Sequence, residues 1–199
     1  MSFNVEIIAV TPNALDVIER AGRNCYNSQM NKETQYKFIA DKVKKGHESI
    51  LEHASVTFEL TGVSRALSHQ QVRHRIQGVS QQSQRYVKAD NFEYVVPPSI
   101  LHNEKIFNEY VEIMERIRAF YTKAVIDHIP AEDARYLLPN ATTTKMVFTM
   151  NFRALRNFIN LRADKHAQWE IREVAIDILL KMVKDYKCCF DDLAEKYIF

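Results

Sequence analysis

Residues 145–172 read KMVFTMNFRALRNFINLRADKHAQWEIR, and the change of period inside this stretch decides the fold class. Lys145 to Met150 reads as a strand. From Phe152 to Arg162 the spacing becomes helical: Phe152, Leu155 and Ile159 form an apolar ridge, and Arg153, Asn157 and Leu161, four residues apart, share a neighbouring face. A further helix runs from Gln168 to about Tyr186, with Ile171, Val174, Ile178 and Met182 as its apolar stripe. A strand leading into helices that must bury one side each points to a sheet covered by helices.

The rest of the chain extends this pattern. Val5 to Val10 is a short β-branched run. Thr11 and Pro12 then have the form of an N-cap and first turn for a helix through Arg20. Thr34 to Lys45 carries Tyr36, Ile39, Ala40 and Val43 at helical spacing and stops at Gly46, where a left-handed cap suits glycine. Ser55 to Leu60 alternates apolar and polar residues as a half-buried strand, closed by Gly62. Arg65 to Arg75 reads as helical, Tyr94 to Pro98 as extended because of its paired prolines, and Glu104 to Asp127 as a long helix. Pro130 and Pro139 bracket a short helix. The expected class is α+β, a central sheet flanked by helices in one domain over residues 1–199. No repeat, low-complexity segment or shift of composition marks a linker.

Composition narrows the function. A chain of 199 residues with 46% hydrophobic content can bury a core without disulfides or metals. Its net charge of +2 exerts no global pull on nucleic acid or membrane, so an anion must be caught locally. No apolar run approaches the roughly 20 residues that span a bilayer, and the start MSFNVEIIAVTPN lacks the form of a secretory signal; the reading is cytoplasmic. Cys25, Cys188 and Cys189 form no CxxC, and their odd number argues for reduced, buried thiols. His47, His53 and His74 fall in no recognised zinc motif, so no metal is expected.

The chemistry concentrates in Gln70 to Tyr86, QQVRHRIQGVSQQSQRY, where Arg73, His74, Arg75 and Arg85 stand among glutamines and serines without an acidic residue. On a continuous helix Arg65, His69 and Arg73 form a cationic ridge suited to phosphate or diphosphate. A solvated basic face is the plain alternative, and a nucleic-acid-binding module using Arg65 to Arg85 is the competing functional reading. The density of neutral donors and acceptors favours a nucleotide with a phosphate and a uracil edge.

Arg73-His74-Arg75, seven residues, then Ser83 resembles the signature of the flavin-dependent thymidylate synthases. GHESILEH at Gly46 to His53 and NFRALRNFINLRADKHAQWEIR at Asn151 to Arg172 are also similar to that family, so the likeness covers nearly the whole chain. Many members have serine where this chain has Gly78 and an acidic residue where it has Gln81, which bears on local ligand contacts rather than on the reaction. The resemblance implies that Ser49, Arg73, His74, Arg75, Gln81, Asn151, Arg153 and Asn157 hold FAD. It implies that Gln70, Arg73, Gln81, Ser83, Arg85, Arg135 and Arg162 hold dUMP. Arg162 is the catalytic candidate, because a cation at the uracil ring favours loss of the imide proton and makes carbon 5 more nucleophilic. His47, Glu52 and His166 have supporting roles.

The implied reaction is reductive methylation of dUMP to dTMP, with methylenetetrahydrofolate as carbon donor, NADPH as reductant, FAD as hydride carrier and tetrahydrofolate as product. The chain has four glycines and no GxGxxG, so FAD binding falls to a non-Rossmann site. In the family that site lies between the subunits of a homotetramer. No cysteine lies in a signature segment; Cys25 reads as a small buried residue, Arg156 and Lys165 as exposed charges, and Trp169 as core packing.

Overall fold

The computed structural model describes every residue except Met1, Ser2, Lys88 and Asp90. In chain order the elements are β1 (Asn4–Val10), α1 (Ala14–Asn24), α2 (Gln35–Lys44), a 3-10 segment (Glu48–His53), β2 (Ser55–Ser64), α3 (Arg65–Gln71), β3 (Gly78–Gln81), α4 (Pro98–Leu101), α5 (Glu104–Ile126), α6 (Ala131–Ala134), a 3-10 turn (Arg135–Leu137), β4 (Thr143–Asn151), α7 (Phe152–Arg162) and α8 (Trp169–Tyr197). The strands form one sheet in the order β1-β2-β4-β3. The class is α+β, as the periodicity indicates.

The chain divides into two compact units, with β2 and β4 contributing residues to both. The larger comprises Val5–Glu59, Gln71–Val79 and Val147–Phe199. Its core is the seam of α7 and α8, where Phe152, Leu155, Phe158 and Ile159 meet Ile171, Val174, Ile178 and Met182, all fully buried. On the sheet side Phe58 stacks on Phe148 at 5.2 Å between ring centroids, and Phe148 lies 6.3 Å from Phe158. Burying an aromatic side chain of this size stabilises by about 2 kcal/mol or more, so this seam fixes the orientation of α7. The start of α7 is set by Asn151, whose Oδ1 accepts from Ala154 N at 2.8 Å, and that of α8 by Gln168, whose Oε1 accepts from the N–H groups of Glu170 and Ile171.

The smaller unit comprises Met1–Asn4, Leu60–Gln70 and Ser80–Met146. Tyr121 of α5 is fully buried there, and its hydroxyl accepts from Ala89 N at 3.1 Å. Arg118, one turn earlier, lies over the rings of Phe92 and Tyr94 and donates to the Phe92 carbonyl at 2.8 Å. The loop before α4 is thereby held on α5 by a cation over two aromatic faces.

Several boundaries differ from the sequence reading: α1 runs on to Asn24 rather than ending at Arg20, and β4 begins at Thr143 rather than Lys145. Thr11 does not cap α1: its hydroxyl accepts from Ser55 N at 2.9 Å and is tied to β2, while Asn13, at φ 51°, occupies the position before the helix. Gly62 takes φ 72°, yet β2 continues to Ser64, whose Oγ accepts from Leu67 N and starts α3. The helix from Arg65 stops at Gln71, not Arg75, so Arg73 is not on it and the cationic ridge does not form. The extended stretch from Tyr94 ends one residue early, since Pro98 opens α4, a place where its missing N–H costs nothing. Finally, α8 does not stop near Tyr186. That residue departs from helical geometry (φ −128°, ψ 35°) and kinks the helix, which goes on to Tyr197 because Cys188, Cys189, Phe190 and Leu193 are buried beyond the kink.

Candidate functional site

The Arg-His-Arg triplet sits in a loop tied at its root. Beyond α3 the carbonyl of Gln71 accepts from His74 N at 3.1 Å and from Gln77 Nε2 at 2.8 Å, while Gln71 Nε2 donates to Gln77 Oε1 at 3.0 Å. Gln71 is fully buried, so this pair of glutamines turns the chain out of the helix and returns it to β3. Arg73 and Arg75 are exposed on the loop, and His74 is half-buried.

His74 meets the edge of Phe158 at 5.0 Å, and its Nε2 accepts from Arg162 Nε at 2.9 Å. An imidazole that accepts at Nε2 is neutral and carries its proton on Nδ1. Burial first, and the Arg162 charge second, lower its pKa to about 4. Burial likewise lowers the pKa of Arg162. Below the ordinary histidine pKa of 6.5 the unfolded chain takes up a proton at His74 that the folded chain refuses until about pH 4. Stability conferred by neutral His74 is therefore complete above pH 6.5 and is lost as the pH falls toward 4. The His74→Gln variant is expected to show a flatter melting-temperature profile across that window; an unchanged slope would remove His74 from the account.

These groups open onto a cleft of 1170 Å³ in the larger unit. The triplet loop gives one wall with Arg73, His74, Arg75 and Ile76. The end of β4 and the face of α7 give another with Asn151, Arg153, Asn157, Leu161 and Arg162. Glu48 and Glu52 of the 3-10 segment and Asp192, Leu193 and Lys196 of α8 complete it. The expected face of Arg153, Asn157 and Leu161 is thus the one presented to the cleft, with Phe152, Leu155 and Ile159 buried behind it. Asn151 Oδ1 is committed to the helix cap, so a ligand contact from that residue falls to its amide nitrogen.

Of the remaining candidates in this unit, Glu52 lines the cleft and forms an ion pair with Arg153, while Ser49 and His47 are exposed on and beside the 3-10 segment and are not among the lining residues. His166 is 82% exposed and bonded to Asp164 at 2.8 Å. The smaller unit holds Gln70, Gln81, Ser83, Arg85 and Arg135. Gln81 Nε2 donates to Thr144 Oγ1 at 3.1 Å, and Ser83 Oγ accepts from Arg85 N at 3.2 Å. Gln70 Nε2 reaches the Ala66 carbonyl at 3.5 Å. Arg85 Nε and Arg135 Nε converge on Glu132, one on its carboxylate at 3.3 Å and the other on its carbonyl at 3.1 Å. Burial, then the charge of Arg135, lower the pKa of Arg65. Gly78 faces open space, where a side chain would meet nothing within 4 Å.

Three side chains contradict their sequence reading. Arg156 is not an exposed charge: it is 6% exposed, with Nε on Glu48 at 2.9 Å, Nη1 on the Cys189 carbonyl at 2.6 Å, and both terminal nitrogens on Asp192 at 2.7 Å. Burial opposes its charge, but the bonds to Asp192 and Glu48 outweigh that and raise its pKa. Cys25 is exposed, its thiol directed to the Ala21 carbonyl, because α1 ends beside it; Cys188 and Cys189 are buried and free. Trp169 is only partly covered, since it stands at the first turn of α8. Glu48, Asp192 and Lys196 also escaped the sequence reading. Lys196 lies in the last turn of a helix longer than its apolar stripe suggests, and its Nζ donates to Asn160 Oδ1 at 2.9 Å. Among the described residues no group of three His, Cys, Asp or Glu side chains could hold a metal, and no helix is long and apolar enough to cross a membrane.

Residues 6–186 match the family described as Thymidylate synthase complementing protein. The chain is 44% identical to a flavin-dependent thymidylate synthase of Geobacter sulfurreducens, over 90% of this chain and 82% of the relative. It is 41% identical to one of Nitratidesulfovibrio vulgaris, covering 91% and 82%, and 39% identical to one of Clostridium tetani, covering 92% and 84%. With the match extending over most of both chains and including the tied triplet loop and the face of α7, this chain belongs to the thymidylate synthase complementing protein family.

Proposed function

We propose that this chain is a flavin-dependent thymidylate synthase that converts dUMP to dTMP, with methylenetetrahydrofolate as carbon donor and NADPH as reductant. The observation that carries this reading is the pairing of Arg162 with a neutral His74 at the wall of a donor-lined cleft. The neutral imidazole accepts from the Arg162 guanidinium without placing a negative charge of its own beside it. Beside the uracil ring that charge stabilises the imide anion and raises the nucleophilicity of carbon 5.

The residues of the cleft fit FAD. Arg73, Arg75 and Arg153 offer guanidinium forks for a diphosphate; Ile76, Met150, Leu161 and Leu193 offer apolar contact for a flavin or adenine ring; and the start of α7 adds a favourable dipole. Bound FAD would supply hydride chemistry that no side chain of the protein possesses. His74 holds Arg162 and Asn157 adds an amide for the cofactor, while Gln70, Gln81, Ser83, Arg85 and Arg135 are assigned to the nucleotide. Ser49, His47 and His166 complete the assignment at the cofactor and folate.

The working form is a cytoplasmic homotetramer in which residues 1–199 act as one functional domain and neighbouring subunits close the flavin site. Ile76, an apolar residue of the cleft wall that is 73% exposed, supports this, because another chain is the natural cover for it. The test is a visible spectrum of the purified protein with FAD, followed anaerobically after NADPH addition with and without dUMP. Flavin bands that bleach faster with dUMP are the expected result; absence of flavin binding overturns the reading.

A further inference from the structure

Glu48 and Glu52 stand four residues apart on the 3-10 segment and face Arg156 and Arg153, three residues apart on α7, so two ion pairs bridge one wall of the cleft to another. The two rungs differ. The inner rung is locked: Arg156 is 6% exposed and shared with Asp192 and the Cys189 carbonyl. The outer rung is open to solvent, with Arg153 and Glu52 each about half exposed, and among the described residues its carboxylate has no partner besides Arg153. Both members of the outer rung line the cleft.

We propose that Glu52 is a built-in competitor for the anion subsite at Arg153: it occupies the guanidinium until a phosphate-bearing ligand displaces it, and so sets the affinity and the anion selectivity of the cleft. This rests on the reading of Arg153 as an anion-binding residue. Ligand binding here is an exchange of partners at the guanidinium. An exposed arginine–carboxylate pair is worth little in water, so a diphosphate with two charges and bidentate oxygens takes the guanidinium from it. A single small anion has less to offer and also meets the repulsion of the Glu52 charge close by. Glu48 cannot exchange in this way, because releasing Arg156 would leave a buried cation short of a partner.

The test compares wild type, Glu52→Gln, Arg153→Ala and the double variant at low ionic strength. Two probes are titrated, FAD by quenching of its fluorescence and inorganic pyrophosphate by calorimetry. Removing the competing charge is expected to tighten both probes by about two- to fivefold, the range for release of an exposed pair, with the larger change for pyrophosphate. In the Arg153→Ala background the same substitution is expected to give a distinctly smaller gain, that of the lost repulsion alone. Unchanged or weaker binding by Glu52→Gln, or a gain as large without Arg153 as with it, overturns the proposal. So does failure of both wild type and Glu52→Gln to bind pyrophosphate. If wild type binds pyrophosphate but not FAD, the flavin reading fails while the pyrophosphate comparison still decides the role of Glu52. Melting temperatures within a degree or so of wild type are expected for Glu52→Gln, since the side chain is exposed.

Discussion

The Arg162→Ala variant is expected to lose dTMP formation by on the order of a hundredfold or more while still binding FAD. The separation comes from geometry. Arg162 closes α7 and is fastened through Nε to His74, whereas the cations suited to the flavin diphosphate are Arg73 and Arg75 on the loop and Arg153 at the opposite end of α7. Removing Arg162 takes away the charge proposed to stand beside the pyrimidine and leaves those three in place. Lysine at this position is expected to rescue little, because a point charge on a flexible stem cannot bond His74 through one nitrogen and present a planar pair to the ring edge. The variant carries an internal control: without the neighbouring guanidinium, the pKa of His74 rises from about 4, since that charge is one of its two causes of depression. Flavin absorbance, dTMP yield by chromatography and an NMR titration of His74 therefore read three different consequences. Undiminished dTMP formation would remove Arg162 from the chemistry.

The elements most legible in the sequence are those whose determinants are local. For Phe152–Arg162 the apolar ridge, the Asn151 cap and the basic final turn lie within a dozen residues, and both helix bounds agree. Where the determinant is distant the reading fails. Nothing within Arg65 to Arg75 shows that the helix must stop at Gln71; the cause is the side chain of Gln77, which takes the Gln71 carbonyl after the chain has turned. The extension of α8 is hidden for a similar reason. Tyr186 breaks the period, and the burial of Cys188, Cys189 and Phe190 depends on other elements, such as Phe152, whose ring lies 5.5 Å from that of Phe190. The candidate site divides the same way. Motif residues such as Arg73, His74 and Arg162 are visible by resemblance, but the neutral state of His74 is a property of its packing against Phe158 and Arg162. Arg156 is the extreme case, since its partners lie 108 residues before it and 36 after it.

That arginine sets up the largest stability effect, and the effect is asymmetric. Arg156 is 6% exposed, while Glu48 and Asp192 are 30% and 49% exposed. Taking away the arginine leaves carboxylates that water can reach, so their charges are rehydrated and the main losses are packing and the bond to the Cys189 carbonyl. Taking away both carboxylates leaves a largely buried guanidinium stripped of its anionic partners. The Glu48→Ala/Asp192→Ala double variant is therefore expected to lose about 3–5 kcal/mol, the range for stranding a buried charge, and Arg156→Met only about 1–2 kcal/mol, because methionine refills much of the volume. At about 2–4 °C per kcal/mol for a chain of this size, the double variant should melt roughly 10 °C lower than wild type and lower than Arg156→Met. Combining all three substitutions should recover stability relative to the double variant, since no buried charge remains to be satisfied. Calorimetric melting of the four proteins decides it. If Arg156→Met melts below the double variant, the guanidinium contributes chiefly as a packed side chain and not as a charge requiring partners, and the ion-pair account of the seam between α7 and α8 is wrong.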